Sequence, residues 1–506
     1  MTQKIVPAER TETMSGLSVA GIIRNRAEKT PDKAAVVAGG RKLSYGQLYH
    51  MISSAASCLR DRGVRPGSHV VSVARPDVEY VSCMYAVLGI GAVHIPVENR
   101  IPSGRLSEIA GSVDAEFVIS DEKPDGDCVW ISPREIEFDR DGVLLDPVGV
   151  SDECSEIVFT TGTTGKSKGV MLTSHCLEVY LGALNPSFRL DGNSVFLVTT
   201  PLNHVGGMHR IHQCMAAGST VILMDGIRDL RAFFGAIHQY GVTHTYLPPA
   251  SVKMLITLAK KEVAALDGKL QFIYTASAPF PVKDIETLMS LLPHTHLHQG
   301  YGSSETGSIC NCCYNAPGEN ADCLGKPYPC VEVILSDADG NPVREPYKEG
   351  FIRSRSGMNM IGYYKEPELT AKVLRDGFIY SSDLMFFDER GNLHFAGRGD
   401  DVINVRGFKI SPTEVENVVM KHPSVSECVC IPYEDAKQGI VVKLLVCLNE
   451  GFSLDVEEII GFLSERLEPY KIPTFVEAVN EIPRFPNGKI DRKKIIAVKG
   501  KDVTEA

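Results

Sequence analysis

Short apolar runs alternate along the chain with amphipathic stretches of helical spacing, beginning at residues 31–37 and 43–47. The apolar runs predict strands, and the stretches between them predict helices. The predicted strands include residues 156–160, 195–200, 220–223, 271–275 and 297–299. This alternation predicts an α/β fold built on mostly parallel sheets, in which ligands gather where the carboxyl ends of strands meet Gly- or Ser-rich turns.

The pattern changes near residues 397–401, a charged segment flanked by glycine. Beyond it, the sequence predicts a helix at 411–421, strands around 428–431 and 441–448, and a helix at 456–467. These elements are sufficient for a small α+β domain.

The length of the chain also requires more than one domain, because 506 residues exceed what a single hydrophobic core usually covers. We therefore expect a large N-terminal domain of parallel or mixed sheets with helices, residues 1–399. A small, mobile α+β C-terminal domain, residues 400–506, is expected to follow it.

Composition narrows the class of protein. Hydrophobic residues make up 43% and charged residues 23% of the chain, which is typical of globular proteins. The formal net charge of -11 argues against a nucleic-acid or anionic-membrane partner. The longest apolar run, 84–97, contains His94 and Pro96 and is too short to span a bilayer, so no membrane span is predicted. A cytoplasmic enzyme acting on small molecules is the expectation.

Fourteen cysteines are scattered through the chain without a secretory signal, which predicts reduced thiols rather than disulfides. The group Cys310, Cys312 and Cys313, with Cys323 further on, is spaced too tightly for a C-x2-C zinc site. No histidine follows them at a suitable spacing. We expect these cysteines to be small, partly buried apolar residues.

The strongest local signal is the run at 160–169, TTGTTGKSKG, which follows a predicted strand and precedes a helix predicted from His175. Glycines let backbone N–H groups approach phosphate oxygens, hydroxyls add donors and lysines add positive charge. The run lacks the first glycine of the usual P-loop, so a different ATP-binding fold is indicated. A flexible surface turn is the alternative interpretation.

Six further motifs follow this run in order. They are PLNH at 201–204, YGSSET at 301–306, YSSD at 380–383, GRGDD at 397–401, GFK at 407–409 and PNGK at 486–489. Together they resemble the signature of the adenylate-forming (AMP-binding) superfamily, which includes acyl- and aryl-CoA synthetases, firefly luciferases and peptide-synthetase adenylation domains. The resemblance covers about residues 20–495.

This resemblance implies a set of nucleotide-binding residues. The set comprises Thr160, Thr161, Gly162, Thr163, Thr164, Gly165, Lys168, Ser277, Ala278, Pro279, Tyr301, Gly302, Ser303, Glu305, Thr306, Asp383, Arg398, Lys409 and Lys489. Glu305 and Thr160 are the implied ligands of Mg2+, and a carboxylate beside phosphates is the kind of ligand that Mg2+ favours. The ring of Tyr301 can stack on a base, and Asp383 with Arg398 resembles the ribose-binding pair. A capped turn and a surface salt bridge are the alternatives for these motifs.

Lys489 resembles the catalytic lysine of the family, since an ammonium group can stabilise the negative charge that develops around the α-phosphorus during adenylation. A solvated lysine in a turn is the alternative. Asn487 departs from the Ser or Thr that the family often has there. Asp400 occupies the implied hinge, about which the small domain rotates to bring Gly407 to the site, where it lines a coenzyme A tunnel.

The resemblance also implies an acyl pocket built from the segments 204–209, 302–303 and 308–310, with His204, Val205, Gly206, Met208 and Ser308 among its residues. His204 is the candidate that contacts the carboxylate or gates the pocket, although a lone histidine is often structural. The segment 203–208 lacks the aspartate that amino-acid adenylation domains use to hold an α-amino group, and the segment 407–412 resembles acyl-CoA synthetases.

We therefore expect an AMP-forming acid:CoA ligase that uses ATP, Mg2+ and coenzyme A as co-substrate. A stand-alone adenylation enzyme that loads a carrier protein is one alternative, and a degenerate nucleotide-binding regulator is another. The competent residues Lys489, Glu305 and Asp383 argue against the regulator. The sequence leaves open whether the acid is aliphatic or aromatic and what the oligomeric state is.

Overall fold

The computed structural model describes residues 16, 18–142, 149–160, 167–278, 280–316, 322–405, 408–435, 438–484 and 490–497. Within these residues the chain forms four sheets of three or more strands and one short hairpin, covered by helices. The prediction of a mixed α/β fold with a large N-terminal part and a small C-terminal part is confirmed.

Sheet A, the largest sheet of the described residues, has nine strands. Their order across the sheet is Lys326–Pro327, Gly307–Cys313, His296–Ser303, Phe272–Thr275, His244–Tyr246, Val195–Val198, Thr220–Leu223, Ala34–Ala38 and Arg41–Ser44. The six strands from His296–Ser303 to Ala34–Ala38 are parallel, and the strands beyond them at both edges are antiparallel. The carboxyl ends of the parallel strands therefore meet at one edge.

Sheet B has seven strands within the described residues. Their order is Gly362–Tyr363, Lys168–Thr173, Cys154–Thr160, Val93–Val97, His69–Val73, Phe117–Ile119 and Val129–Ile131. Sheets A and B share one hydrophobic core, which contains Val36 and Phe196 from sheet A and Val70 and Val158 from sheet B. Burial of this continuous apolar surface holds the two sheets in a fixed relation.

Sheet C is antiparallel and has six strands within the described residues. These strands are Pro342–Val343, Glu332–Ser336, Gly350–Arg355, Phe378–Phe387, Leu374–Arg375 and Leu393–Arg398. The pairing of Phe378–Phe387 with Leu393–Arg398 places Asp383 directly opposite Arg398. Two residues that are 15 positions apart in sequence are thus neighbours on the sheet.

The C-terminal residues form a smaller unit. A hairpin joins Ile403–Val405 to Phe408–Ile410, and sheet D contains Val425–Asp435, Gly439–Leu448 and Phe475–Ala478. This unit has its own apolar core, in which Val415 and Leu463 from two helices pack on Leu444 of sheet D. A separate core is the property expected of a domain.

Several helices of the described residues begin at a side-chain cap, such as Ser44, Asp77 or Thr173. The bounds of all the described helices are Val19–Lys29, Tyr45–Asp61, Val78–Ile90, Ser103–Ser112, Ser174–Ser187, Val205–Ala217, Leu230–Tyr240, Pro249–Leu258, Lys260–Ala264, Val282–Leu291, Pro367–Val373, Pro412–Val419, Val456–Ser464 and Arg492–Ala497. Short 3-10 turns occupy Pro133–Glu135, Gly399–Asp401 and Pro469–Lys471. Across the part of the chain that the structure describes, no helix combines the length and apolarity needed to cross a bilayer.

Most predicted elements are present with shifted ends. The strand predicted at 220–223 has those bounds, whereas the helix predicted at 411–421 is shorter, Pro412–Val419. The prediction of a β-rich run at 43–47 is wrong beyond Ser44. Ser44 and Gln47 form a capping box there, which starts a helix at Tyr45.

None of the fourteen cysteines, all of which lie within the described residues, forms a disulfide. Cys310, Cys312 and Cys323 are buried, and the sulfur atoms of Cys312 and Cys323 lie 3.2 Å apart. The burial of these three cysteines agrees with the prediction that they act as small apolar residues.

Candidate active site

One cleft of about 2960 Å³ gathers most of the candidate residues. It opens at the carboxyl ends of the parallel strands of sheet A, beside sheet C, and the C-terminal unit lines its other side. Of the candidates, its walls include Thr160, Lys168, His204, Val205, Gly206, Ser277, Ala278, Tyr301, Gly302, Ser303, Glu305, Thr306, Ser308, Asp383, Arg398 and Asp400. Residues separated by more than 200 positions in sequence thus face one space.

Some candidates cannot be placed in this cleft. Thr161, Gly162, Thr163, Thr164, Gly165, Pro279, Gly407 and Lys489 lie outside the described residues, as does the side chain of Lys409. Met208 is described, but its side chain is fully buried in the core rather than on the cleft wall. Met208 lies on the same helix face as Ile211 and Met215, which are also fully buried, so helical spacing directs it inward.

The glycine-rich run is held at both ends by sheet B. Thr160 ends one strand and Lys168 begins the next, and the two residues are paired in antiparallel register. The helix predicted from His175 is present as Ser174–Ser187, but the strand Lys168–Thr173, which the sequence interpretation did not include, lies between the run and this helix. Thr160 and Lys168 nevertheless both line the cleft.

Tyr363 links Lys168 to Glu305. The ammonium nitrogen of Lys168 lies 5.4 Å from the centre of the Tyr363 ring, and the hydroxyl of Tyr363 donates a hydrogen bond of 2.9 Å to Oε1 of Glu305. Burial, together with the negative charge of Glu305, raises the pKa of Tyr363. The hydroxyl therefore stays protonated at neutral pH and remains a donor to the carboxylate.

The segment 302–306 forms a tight turn at the end of its strand. The backbone N–H groups of Glu305 and Thr306 donate to Oγ of Ser303, and the N–H of Ser303 donates to the hydroxyl of Thr306. A Cβ on Gly302 would lie 2.0 Å from the carbonyl oxygen of Gly307, so only glycine fits there. This turn fixes where Glu305 leaves the backbone.

Tyr301, Asp383 and Arg398 form a connected polar group. The hydroxyl of Tyr301 donates to Oδ2 of Asp383 at 2.5 Å, and Nε of Arg398 lies 3.0 Å from Oδ1 of the same carboxylate. Burial, followed by the charge of Asp383, raises the pKa of Tyr301 well above its ordinary value. The ring of Tyr301 and the carboxylate of Asp383 are thus held together on the cleft wall.

Ser277 has a left-handed backbone conformation, with φ of 77°. A serine rarely adopts this conformation, and such strain concentrates at binding sites. The turn places both Ser277 and Ala278 on the cleft wall, directly after the strand Phe272–Thr275.

His204 is the N-cap residue of the helix Val205–Ala217, and its carbonyl oxygen accepts hydrogen bonds from the N–H groups of Gly207 and Met208. A Cβ on Gly207 would lie 2.3 Å from the carbonyl oxygen of Pro201, so only glycine lets the backbone of Pro201 pack this close to the first turn of the helix. His204 lines the cleft at the N-terminus of this helix, beside Val205 and Gly206.

Four polar residues are buried here, and the sequence interpretation missed three of them, Glu156, Arg210 and His212, whereas His209 ends the predicted pocket segment 204–209. His212 Nε2 lies 3.1 Å from Oε1 of Glu156, and its Nδ1 lies 2.8 Å from the hydroxyl of Tyr85. His209 Nε2 lies 3.7 Å from Oε2 of Glu156. Charged residues at core positions of a strand and a helix are the signal that could have identified this group.

The charge of Glu156 is stabilised by its histidine neighbours. Burial by itself would raise the pKa of this carboxyl, but the charge and hydrogen bond of His212, together with the more distant His209, hold the pKa below its ordinary value. Burial lowers the pKa of His209. Glu156, His209 and Arg210 line the cleft.

A second group of possible metal ligands lies away from this cleft. His298 and Cys313 are cross-strand partners, and His296 lies two residues before His298 on the same face. One ligand atom from each of the three lies within 4.8 Å of the others. The guanidinium of Arg189 lies 2.9 Å from Nε2 of His296, and this positive charge disfavours a cation there.

The C-terminal unit contacts the N-terminal part at several points. Lys253 donates a hydrogen bond of 2.8 Å to the carbonyl oxygen of Ser426, and Oγ of Ser411 donates to the carbonyl oxygen of Ala396. Asp400 lies in the 3-10 turn Gly399–Asp401 and accepts a 2.8 Å hydrogen bond from Ser382. The predicted hinge is therefore a short turn tied to sheet C.

Comparison with known proteins extends along most of the chain. A family model described as AMP-binding enzyme matches residues 23–364, and one described as AMP-binding enzyme C-terminal domain matches residues 414–489. The chain is 30% identical over 509 residues to an indoleacetate–CoA ligase of Aromatoleum aromaticum, which covers 94% of this chain and 98% of that protein. It is 29% identical over 491 residues to a feruloyl-CoA synthase of an Amycolatopsis species, with 92% and 96% covered.

The fold is also similar to that of solved structures. The crystal structure of ATP-bound MatB from Rhodopseudomonas palustris matches with a TM-score of 0.86 and 23% identity, covering 96% of this chain and 99% of that chain. The overall fold is thus shared with that ATP-bound structure.

Proposed function

Because the chain belongs to the AMP-binding enzyme family, we propose that it is an ATP-dependent acid:CoA ligase, which converts a carboxylic acid and ATP to an acyl-adenylate and pyrophosphate and then forms a thioester with coenzyme A. One observation carries this proposal. Thr160, Glu305, Asp383 and His204, from four separate motifs, line one cleft at the carboxyl ends of parallel strands.

We assign the adenosine half of ATP to the wall formed by Tyr301, Asp383 and Ser277. The ring of Tyr301 offers an aromatic face, and the carboxylate of Asp383 can accept hydrogen bonds from ribose hydroxyls. Because Tyr301 and Arg398 already hold that carboxylate, little reorganisation is needed when the nucleotide binds. The run that starts at Thr160 is the proposed phosphate loop, with Lys168 at its far end.

The donor set at the phosphate end fits Mg2+. Glu305 supplies a carboxylate and Thr160 a hydroxyl, and both line the cleft. Mg2+ prefers oxygen ligands and usually takes one or two carboxylates beside substrate phosphates. When bound, the ion would neutralise charge on the phosphate oxygens, while Tyr363 keeps the carboxylate of Glu305 in place.

We propose that the small domain, residues 400–506, serves both half-reactions. Lys489 would stabilise charge on the α-phosphate during adenylation, and rotation about Asp400 would then withdraw it and bring Gly407 and Lys409 to the site. The separate core of the C-terminal unit supports movement as a rigid body. Fourteen cysteines with no disulfide among them favour a reducing, cytoplasmic location.

We place the carboxylic acid beside His204, at the N-terminus of the helix Val205–Ala217. Val205, Gly206 and Ser308 then form part of the acyl pocket. The acid carboxylate would approach the α-phosphate at the helix N-terminus, where the helix dipole favours a negative charge.

Release of pyrophosphate from ATP and Mg2+, measured across aliphatic, aromatic and amino acids with and without coenzyme A, tests this function. We expect turnover with one class of acid that increases when coenzyme A is added. A rate that does not change with free coenzyme A, together with acylation of an added carrier protein, would favour the carrier-loading alternative. ATP binding without pyrophosphate release from any acid would contradict the proposed ligase.

A further inference from the structure

Arg210 is a buried arginine on the wall of the acyl pocket. Only 3% of its surface is exposed, and what remains exposed faces the cleft. Among the described residues, its Nε and Nη1 atoms have no hydrogen-bond acceptor. A guanidinium carries five N–H donors and stays charged in proteins, so such burial is costly without a partner.

The surroundings of Arg210 supply aromatic faces but no counter-ion. Its guanidinium carbon lies 5.2 to 5.8 Å from the ring centres of Tyr180, Phe188, Tyr246 and Tyr274, and Nη2 donates a hydrogen bond to the hydroxyl of Tyr180. No carboxylate of the described residues pairs with it; the groups that favour its charge are tyrosines and a cysteine. The nearby carboxylate of Glu156 is instead engaged by His212 and His209.

Helical spacing places Arg210 on the pocket wall beyond His204, six residues and about 9 Å further along the helix axis. Gly206 and Gly207 precede it by four and three residues in the helix Val205–Ala217, so all three share one face. Long side chains in a helix lean toward its N-terminus, which here is His204. A Cβ on Gly206 would lie 3.3 Å from the ring of Tyr246, so this glycine lets the helix pack against one of the aromatic rings around Arg210.

From this arrangement we infer that the acid substrate is a dicarboxylic acid, activated at one carboxylate beside His204 while Arg210 binds the other. This inference rests on the proposed ligase function and names its substrate class. A carboxylate accepts two N–H bonds from a guanidinium and supplies the charge that the pocket lacks. The tyrosine hydroxyls and aromatic faces around Arg210 suit the polar end and the carbon chain of such an acid.

Matched substrates test the inference directly. Pyrophosphate release is measured with aliphatic diacids of four to eight carbons and with benzene-1,4-dicarboxylate, each beside its monomethyl ester and its monocarboxylic analogue. The wild-type enzyme is expected to prefer at least one diacid over both matched compounds by tenfold or more in kcat/KM. Preference for every monocarboxylic analogue would overturn the inference while leaving the ligase function intact.

The variant Arg210→Met removes the charge and keeps a long apolar side chain, and Arg210→Lys keeps the charge. Arg210→Met is expected to lower kcat/KM for the diacid by roughly 100-fold, mainly through KM, and to change that for the monocarboxylic analogue by less than about threefold. Arg210→Lys is expected to recover part of the loss. An equal loss with both kinds of acid would show that Arg210 is structural.

Two further measurements separate the inference from folding and from the proposed function. The melting temperature of Arg210→Met should not fall, because an unpaired buried charge is being replaced by an apolar group. Diacid binding in the presence of AMP, measured as a rise in melting temperature, should occur in the wild type and be lost in Arg210→Met even if no acid is turned over. A wild-type protein that binds no diacid would overturn the inference.

Discussion

The hydroxyl of Tyr301 lies 2.5 Å from Oδ2 of Asp383 and donates a hydrogen bond to it. Arg398 holds the other carboxylate oxygen at 3.0 Å, so both oxygens are oriented by protein groups. The two groups that contact Asp383 come from different sheets. Tyr301 is in sheet A, whereas Arg398 is in sheet C with Asp383 itself. The junction between these sheets therefore determines the shape of the proposed ribose site.

Replacing Asp383 with asparagine should weaken ATP binding. The amide cannot keep the ion pair with Arg398 and accepts hydrogen bonds on one side only, so we expect the KM for ATP to rise by about tenfold or more. The KM for the acid should change much less, because Asp383 lies outside the proposed acyl pocket. Steady-state pyrophosphate release at varied ATP, and separately at varied acid, measures the two KM values.

Tyr301→Phe is the matched variant for this prediction. It removes the hydroxyl donor but keeps the ring that we assign to the base, so its KM for ATP should rise by only about threefold. An unchanged KM for ATP in Asp383→Asn would remove this carboxylate from the nucleotide site.

The contact between Tyr363 and Glu305 leads to a prediction about Mg2+. Glu305→Gln should raise the Mg2+ concentration needed for half-maximal rate by about tenfold and lower kcat by roughly 100-fold, because a neutral amide is a poorer ligand for the ion. Titration of Mg2+ at saturating ATP measures the shift.

Two variants bracket this result. Tyr363→Phe keeps the carboxylate and removes only its hydrogen-bond donor, so a loss of a few-fold is expected. Glu332→Gln changes a carboxylate of sheet C that pairs with Arg355 away from the cleft, and should leave the Mg2+ dependence unchanged. Equal Mg2+ dependence in Glu305→Gln and the wild type would contradict the assignment of Glu305 as a ligand.

Lys489→Ala should separate the two half-reactions. We expect it to abolish pyrophosphate release but to leave thioester formation from a supplied acyl-adenylate largely intact, since the lysine is proposed to be withdrawn by then. Lys494→Ala, in the helix Arg492–Ala497, is the control because its side chain is exposed and should affect neither step. Equal loss of both half-reactions in Lys489→Ala would refute the two-state assignment.

The motifs that could be recognised from sequence are those whose chemistry is local. Strands followed by Gly- or Ser-rich turns predicted where Tyr301, Glu305 and Ser277 would lie, because a turn that directly follows a strand is positioned by the end of that strand. The strand Lys168–Thr173 was missed because its short apolar alternation directly follows a glycine- and lysine-rich run that dominates the local pattern.

Pocket walls depend instead on which face of a helix turns toward the cleft. Once the helix begins at Val205, positions 206 and 210 face the cleft and position 208 faces the core, which places Arg210 in the pocket and removes Met208 from it. The rotation of this helix about its own axis depends on packing between sheets A and B, and that packing cannot be predicted from residue patterns. The buried pair of Glu156 and His212 was missed for the same reason.

The neighbourhood of Glu156 also predicts how stability depends on pH. His94 lies opposite Glu156 in parallel register in sheet B, and neither of its ring nitrogens has a hydrogen-bond partner among the described residues. Burial lowers the pKa of His94 to about 4, and the charge of Glu156 offsets this decrease in pKa only in part. The positive charge of His212 acts in the same direction as burial.

The sign follows from the protons bound in each state. Between an ordinary histidine pKa near 6.5 and the folded pKa of about 4, the unfolded chain binds a proton at His94 that the folded chain does not. Stability is therefore lost as the pH falls through this window, by about 2 kcal/mol between pH 7 and pH 5 from His94 alone. Glu156 acts below this window, since its folded pKa is depressed and its contribution disappears only as the pH falls through that value.

Denaturant unfolding at pH 7 and pH 5 measures this effect, with the fluorescence of Trp130 as the probe. Trp130 is the one tryptophan of the chain and lies in the same sheet as His94. His94→Gln should reduce the difference between the two pH values by about 2 kcal/mol, whatever it does to stability at pH 7. His175→Gln, at a partly exposed position on the helix Ser174–Ser187, should leave the difference unchanged. If His94→Gln retained the full wild-type difference, His94 would have to be protonated in the folded state, and the charge balance around Glu156 would need to be reassigned.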